Sequence, residues 1–417
     1  MAPQRWILTL GALAALAPLA RADVSNRNLL PMGEREALLA NAGITSATGG
    51  AAFYNPANLA RIEHPSLSMT GTTLLRFDLS SDAFLVIEGV DQPFEASGFL
   101  TVPASLVSTY KVGSWSLATS VLVPDVFEIS NLTSFDTASR HTTLLLKSSA
   151  QELWLGASAA HAIVDDVYAG ISVFGSQSTT ASTTMYHIVD TTMPNTATQV
   201  TSNRSLSVVG LTAVAGLYWQ AHPKFGVGAR VQTPLVKLTG SADLYNAVLT
   251  SGAMDAVSEV ELDDVDANRA LPWDVGVGVS MKPADRVEVL IDVNVQLPET
   301  YTELEDPAVA GDPIKLETAV RVSAATEIAV TDSVDVQLGL LYNGSANPTP
   351  VASGDVRETY FGATAGLSWQ SGRTRTGVGA FFFNGDADTV PLFDPAARLV
   401  SSSVHLIGAL ITVAYSL

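Results

Sequence analysis

The stretch Val287-Glu288-Val289-Leu290-Ile291-Asp292-Val293-Asn294-Val295-Gln296-Leu297 decides the fold. Val287, Val289, Ile291, Val293, Val295 and Leu297 fall on one side of a two-residue repeat, and Glu288, Asp292, Asn294 and Gln296 fall on the other. Successive side chains of a strand point to opposite faces, so this is a β-strand with one apolar and one polar face. The pattern recurs along the chain. Phe225, Val227, Ala229 and Val231 oppose Gly226, Gly228, Arg230 and Gln232, and Trp273, Val275, Val277 and Val279 oppose Asp274, Gly276, Gly278 and Ser280. Alternation alone fits a soluble sandwich with its apolar face inward, or a barrel in lipid with that face outward.

The connections separate these two readings. Short turns at 112–114, 164–166, 222–224, 283–285, 331–333 and 371–373 alternate with long segments around 79–94, 129–140, 180–200, 245–268, 300–314, 344–355 and 386–402. Short turns on one side and longer loops on the other are the pattern of an outer-membrane barrel. Six turns and seven loops predict an all-β fold, a closed antiparallel transmembrane β-barrel of fourteen strands over residues 65–417.

Composition agrees with export into a membrane. Arg5, the apolar stretch from Ile7 to Leu19 and Ala20-Arg21-Ala22 read as a signal peptide over residues 1–22, cleaved after Ala22. No later window is apolar for the 18 or more residues of a transmembrane helix, yet the chain is 47% hydrophobic with mean hydropathy +0.27. There is no cysteine, so neither disulfides nor thiol chemistry enters. The net charge of −19 excludes nucleic acid as a natural partner, since phosphate binding needs clustered Lys and Arg.

Residues 23–64 lack the strand alternation. Gly33-Glu34-Arg35-Glu36-Ala37-Leu38-Leu39-Ala40-Asn41-Ala42-Gly43 predicts a short helix over Glu34–Ala40, and Gly49-Gly50-Ala51-Ala52-Phe53-Tyr54-Asn55-Pro56-Ala57-Asn58-Leu59-Ala60 follows with glycine turns and an Asn-Pro turn. This segment resembles the hatch of the FadL family of outer-membrane transporters of long-chain fatty acids and other hydrophobic compounds. The likeness extends to Phe225–Pro234, to Leu271-Pro272-Trp273 and to Asp292-Val293-Asn294. Where the family commonly has Asn-Pro-Ala-Gly-Leu, Asn58 stands in the glycine position. The resemblance implies a monomeric barrel plugged by residues 23–64. A hydrophobic molecule would pass through the wall by a lateral opening in the third strand, with Gly49, Gly50, Asn55, Pro56, Ala57 and Leu59 as latch or gating residues.

The expected third strand, 114–129, contains Pro124, and the second contains Pro103. Proline has no N–H for the ladder, so each marks either a simple bulge or a weakened ladder that forms the exit. Arg230, Glu288, Asp292, Glu317, Arg321 and Glu327 are expected to face the lumen and to pair there, anchoring the plug, because buried charges need partners. The acidic run Asp255, Glu259, Glu261, Asp263, Asp264 and Asp266 reads as a solvated outside loop without calcium-loop spacing.

The six histidines are scattered, so no metal or other cofactor is expected. With no Gly-x-Ser-x-Gly, nothing points to an enzyme. The expected partners are outer-membrane lipid and lipopolysaccharide, a hydrophobic small-molecule ligand and the barrel-assembly machinery. The rival readings are a general porin and a surface or assembly barrel without transport.

Overall fold

A computed structural model describes residues 26–193, 196–252, 255–306, 311–351, 356–392, 394 and 396–417. The expected leader over 1–22 and its cleavage after Ala22 lie outside the described residues. The strands are β1 (Ser66–Ile87), β2 (Val90–Val112), β3 (Trp115–Asp136), β4 (Arg140–Val164), β5 (Val167–Asp190), β6 (Ala197–His222), β7 (Phe225–Gln232), β8 (Val236–Ser251) and β9 (Ala256–Asp266). They continue as β10 (Asp274–Ala284), β11 (Val287–Gln296), β12 (Glu299–Tyr301), β13 (Ile314–Leu316), β14 (Ala319–Ala329), β15 (Val334–Asn343), β16 (Val356–Ser371), β17 (Thr374–Thr389) and β18 (Val400–Ser416).

Sixteen of these strands form one antiparallel sheet, and β12 and β13 pair outside it. The first strand pairs with the last, Ser66 opposite Ser416, and pairing of β5 with β6 closes the sheet into a barrel. The expected count of fourteen is therefore corrected to sixteen. The expected strand between the turn 222–224 and the loop 245–268 is interrupted: Pro234 stands between β7 and β8, both of which pair with β6. The second additional strand, β9, lies within the expected loop, and residues 267–273, with Pro272, separate it from β10.

The loops are also corrected. Strands β3 to β6 run 22, 25, 24 and 26 residues, about twice the 9–11 that cross a bilayer at a tilt. Much of what reads as loop at 129–140 and 180–200 is therefore strand continuing beyond the membrane. There both faces can be polar, and the Ser/Thr-rich run loses its alternation. The acidic run, expected in a loop, lies largely in β9.

The direction of the faces distinguishes barrel from sandwich. Val275, Val277, Ile291 and Val293 are exposed, whereas Asp274, Gly276, Gly278 and Asp292 are buried. An apolar exterior over a polar interior is the arrangement of a barrel in lipid. Exposed Tyr110, Trp115, Trp219, Trp369 and Tyr415 gather near the short-turn end, where amphipathic rings suit a membrane interface.

Candidate functional site

The N-terminal segment, residues 26–65, occupies the interior of the lower barrel. The helix expected over Glu34–Ala40 is instead a 3-10 turn, Glu36–Leu39, ended by Ala40 and Asn41 in left-handed backbone. The Asn41 amide donates to the carbonyls of Asn28 and Leu30, and its oxygen accepts from the Met32 amide and, at 2.8 Å, from the Tyr54 hydroxyl. One side chain thus folds the segment back on itself. A single helical turn, α1 (Ala51–Tyr54), leads into a second 3-10 turn, Pro56–Arg61.

All six residues expected in the latch fall in this region. Gly50 precedes α1, and Asn55 caps the second 3-10 turn by accepting from the Ala57 amide, with Pro56 in the first position, where a missing N–H costs nothing. Asn55 Nδ2 donates to the Ile44 carbonyl at 2.8 Å and to the Leu217 carbonyl of β6 at 3.0 Å, joining segment to wall. Asn58, at the family's glycine position, also donates to the Ile44 carbonyl at 2.8 Å. Ala57 and Leu59 are fully buried. The wall admits the segment where it lacks side chains: a Cβ on Gly339 would lie 2.7 Å from the Leu39 backbone, and one on Gly228 2.5 Å from the Ile44 carbonyl oxygen.

Charge completes the anchorage. Glu288 and Glu327 stand directly opposite each other on β11 and β14, a repulsive pair that the segment's Arg35 bridges, with Nη2 2.5 Å from Glu288 and Nε 3.0 Å from Glu327. Burial opposes the charge on Arg35, but Glu327 and Glu288 hold its guanidinium above its ordinary pKa. Asp292 accepts the backbone amides of Gly43 and Ile44 at 2.7 and 2.8 Å. Arg321 donates to the Arg27 carbonyl and to Asp274, near which Arg230 also lies. Neighbouring Glu34 is pushed up to about 7, by burial and then by the Glu36 carboxylate.

Five of the six expected lumen charges meet the segment or its supporting cluster. Glu317 is a correction: it is exposed, between β13 and β14, because the chain leaves the main sheet there. Sequence reading missed Arg35, whose partners lie more than 250 positions away, and Asp274, whose place on the polar face of a strand was the available signal.

Above the segment the interior becomes apolar. Phe77, Phe94, Phe135, Leu144, Phe381 and Phe383 form one buried cluster with Leu29 and Leu30 of the segment. Leu100 of β2 and Val126 and Phe127 of β3 pack against it, partly buried, and Phe127 meets Phe77 edge to face at 5.0 Å. These last residues adjoin a break in the wall. The β2–β3 ladder runs from Val112–Trp115 to Ser105–Leu122 and stops, although β2 goes on pairing with β1, and β3 with β4. Two residues beyond the last pair, on either strand, are Pro103 and Pro124. In antiparallel register they would face each other, and neither has an N–H to donate.

Solved structures share this architecture. A FadL homologue of Pseudomonas aeruginosa matches with a TM-score of 0.64 at 11% identity, over 94% of this chain and 98% of that one. The toluene transporter TodX of Pseudomonas putida gives 0.63 at 13% identity, over 93% and 99%. TbuX, the toluene transporter of Ralstonia pickettii, gives 0.60 at 15%, over 93% and 99%. No family model matches the sequence, and no curated protein does. At such identities the likeness establishes the fold: this chain has the barrel of FadL homologues and aromatic-hydrocarbon channels, as the N-terminal motif implied.

Proposed function

We propose that the protein carries hydrophobic small molecules, long-chain fatty acids or aromatic hydrocarbons, passively across the outer membrane. A molecule enters the apolar cluster from outside by displacing its side chains, the N-terminal segment acts as a hatch beneath it, and the molecule leaves sideways through the wall between β2 and β3. The observation that carries this reading is the apolar side-chain cluster itself, inside a barrel and flanked by Leu100, Val126 and Phe127 where the β2–β3 ladder stops. Burying about 200 Å² of apolar ligand surface there would contribute about 5 kcal/mol before the costs of association.

A porin needs a polar, water-filled bore, whereas residues 26–62 are largely buried within this lumen, which favours the hatch over the open pore. The transporters of similar fold act on toluene by name, which makes toluene a natural first ligand. The test is uptake of toluene and of oleate by cells lacking their own transporters. The full chain, a Pro56→Ala variant and a variant lacking residues 26–62 are compared with an empty vector. Uptake that depends on the chain and changes with the hatch supports the reading. A folded, surface-located protein that moves neither compound refutes it and leaves a surface or assembly role.

A further inference from the structure

Between β9 and β10 the chain turns out of the sheet and into the lumen. Ala267, Arg269, Ala270 and Leu271 are buried, and the Leu271 carbonyl is held by the Leu235 amide at 3.1 Å. Pro234, between β7 and β8, and Pro272, between β9 and β10, cannot donate to a ladder, which lets this stretch leave the wall. From it Arg269 crosses the interior. Its Nη1 donates to the Ser178 hydroxyl of β5, and its Nη2 to Glu152 Oε2 of β4 at 3.3 Å, with both charged side chains almost fully buried. Three strands, β5, β6 and β7, stand between β4 and β10 in the sheet, so the tie spans a chord of the barrel.

Glu152 is held on its other side by the Trp154 indole at 2.7 Å and the Ser176 hydroxyl at 3.1 Å. Its position is informative. It pairs across the β3–β4 ladder with Asp125, the residue after Pro124, at the level where the β2–β3 ladder has ended. Leu271 packs in the same apolar cluster as Leu122 and Trp154. The inward stretch therefore reaches the inner side of the wall break and puts a buried ion pair there. Such a pair is a poor source of net stability compared with apolar packing, and it is a barrier to an apolar molecule.

We propose that residues 267–273 form a second gate, separate from the N-terminal hatch, in which the Arg269–Glu152 ion pair closes the inner mouth of the β2–β3 break. A hydrophobic molecule passes from the apolar cluster to the wall when this tie opens. The proposal rests on the lateral-transport reading above, and two readouts keep their failures apart.

The full-length protein is studied as wild type, Glu152→Gln, Arg269→Met and the charge-retaining Glu152→Asp, with folding checked by heat-dependent mobility on gels. Toluene uptake by cells and small-ion conductance in planar bilayers are measured for each. Glu152→Gln and Arg269→Met are expected to raise both at least threefold, with Glu152→Asp within twofold of wild type. If either of the first two does not fold, Ser178→Ala, which removes only a hydroxyl partner of Arg269, is expected to give a smaller rise in both. Unchanged or lowered conductance in the folded charge-removing variants overturns the gate. Wild-type protein that moves no toluene while the variants still show the conductance rise would sink the transport reading and leave the gate standing.

Discussion

Replacing Arg35 by methionine isolates the contribution of charge to hatch docking. The variant leaves Glu288 and Glu327 facing each other across β11 and β14 without the cation between them. Removing one partner of a buried ion pair costs about 3–5 kcal/mol. Here the carboxylates keep 22% and 15% of their exposure, and Arg375 still reaches Glu327 at 3.1 Å. Solvent and Arg375 offset part of the cost, leaving about 2–3 kcal/mol, or roughly a 30- to 150-fold rise in the undocked population. Hydrogen exchange at amides 35–60 reads that population directly, because local opening sets the exchange rate. The triple variant Arg35→Met, Glu288→Gln, Glu327→Gln, which removes the repulsion as well, is expected to regain most of the protection. If Arg35→Met exchanges within threefold of wild type over these amides, the ionic bridge does not hold the segment.

Three further outcomes follow from the same geometry. Gly339→Ala brings a methyl group 2.7 Å from the Leu39 backbone and is expected to weaken docking by about 1–3 kcal/mol, read as faster exchange near Leu38–Ala40 with the barrel unchanged. Glu34, with a pKa near 7 in the folded protein against an ordinary 4.5, is favoured in its neutral form by docking. Docking is thus tightest below about pH 4.5 and weakens up to about pH 7, by at most about 3 kcal/mol. Glu34→Gln is expected to flatten that slope, and an unchanged slope would remove Glu34 from the account. Restoring backbone donors with Pro103→Ser and Pro124→Thr together should let the β2–β3 ladder lengthen and cut toluene uptake at least in half, and undiminished uptake would argue against a lateral route there.

Local pattern carried much of this molecule. The two-residue repeat of 287–297 specified strand and faces, and the six short turns lie where glycine, proline and charged residues punctuate it. Of the lumen charges, Arg230, Glu288, Asp292, Arg321 and Glu327 were legible as polar positions on otherwise apolar strands. Glu317 was misread because the chain leaves the main sheet before it, which no periodicity records. Strand length was misread for a related reason. Beyond the lipid both faces of β5 and β6 can be polar, and the alternation that announces a membrane strand is lost there.

By itself the sequence determined the antiparallel strands, the division between the N-terminal segment and the barrel, and the positions where proline withholds a ladder N–H, since each follows from side-chain period or from a missing N–H. Only the tertiary structure decided that the apolar face points outward. It also decided that Arg35 serves carboxylates on two strands, that Arg269 reaches Glu152 across the lumen, and that an aromatic-rich apolar cluster packs above the segment. Those relations depend on closure of the sheet. Closure brings together residues hundreds of positions apart, and nothing in their local sequence specifies that proximity.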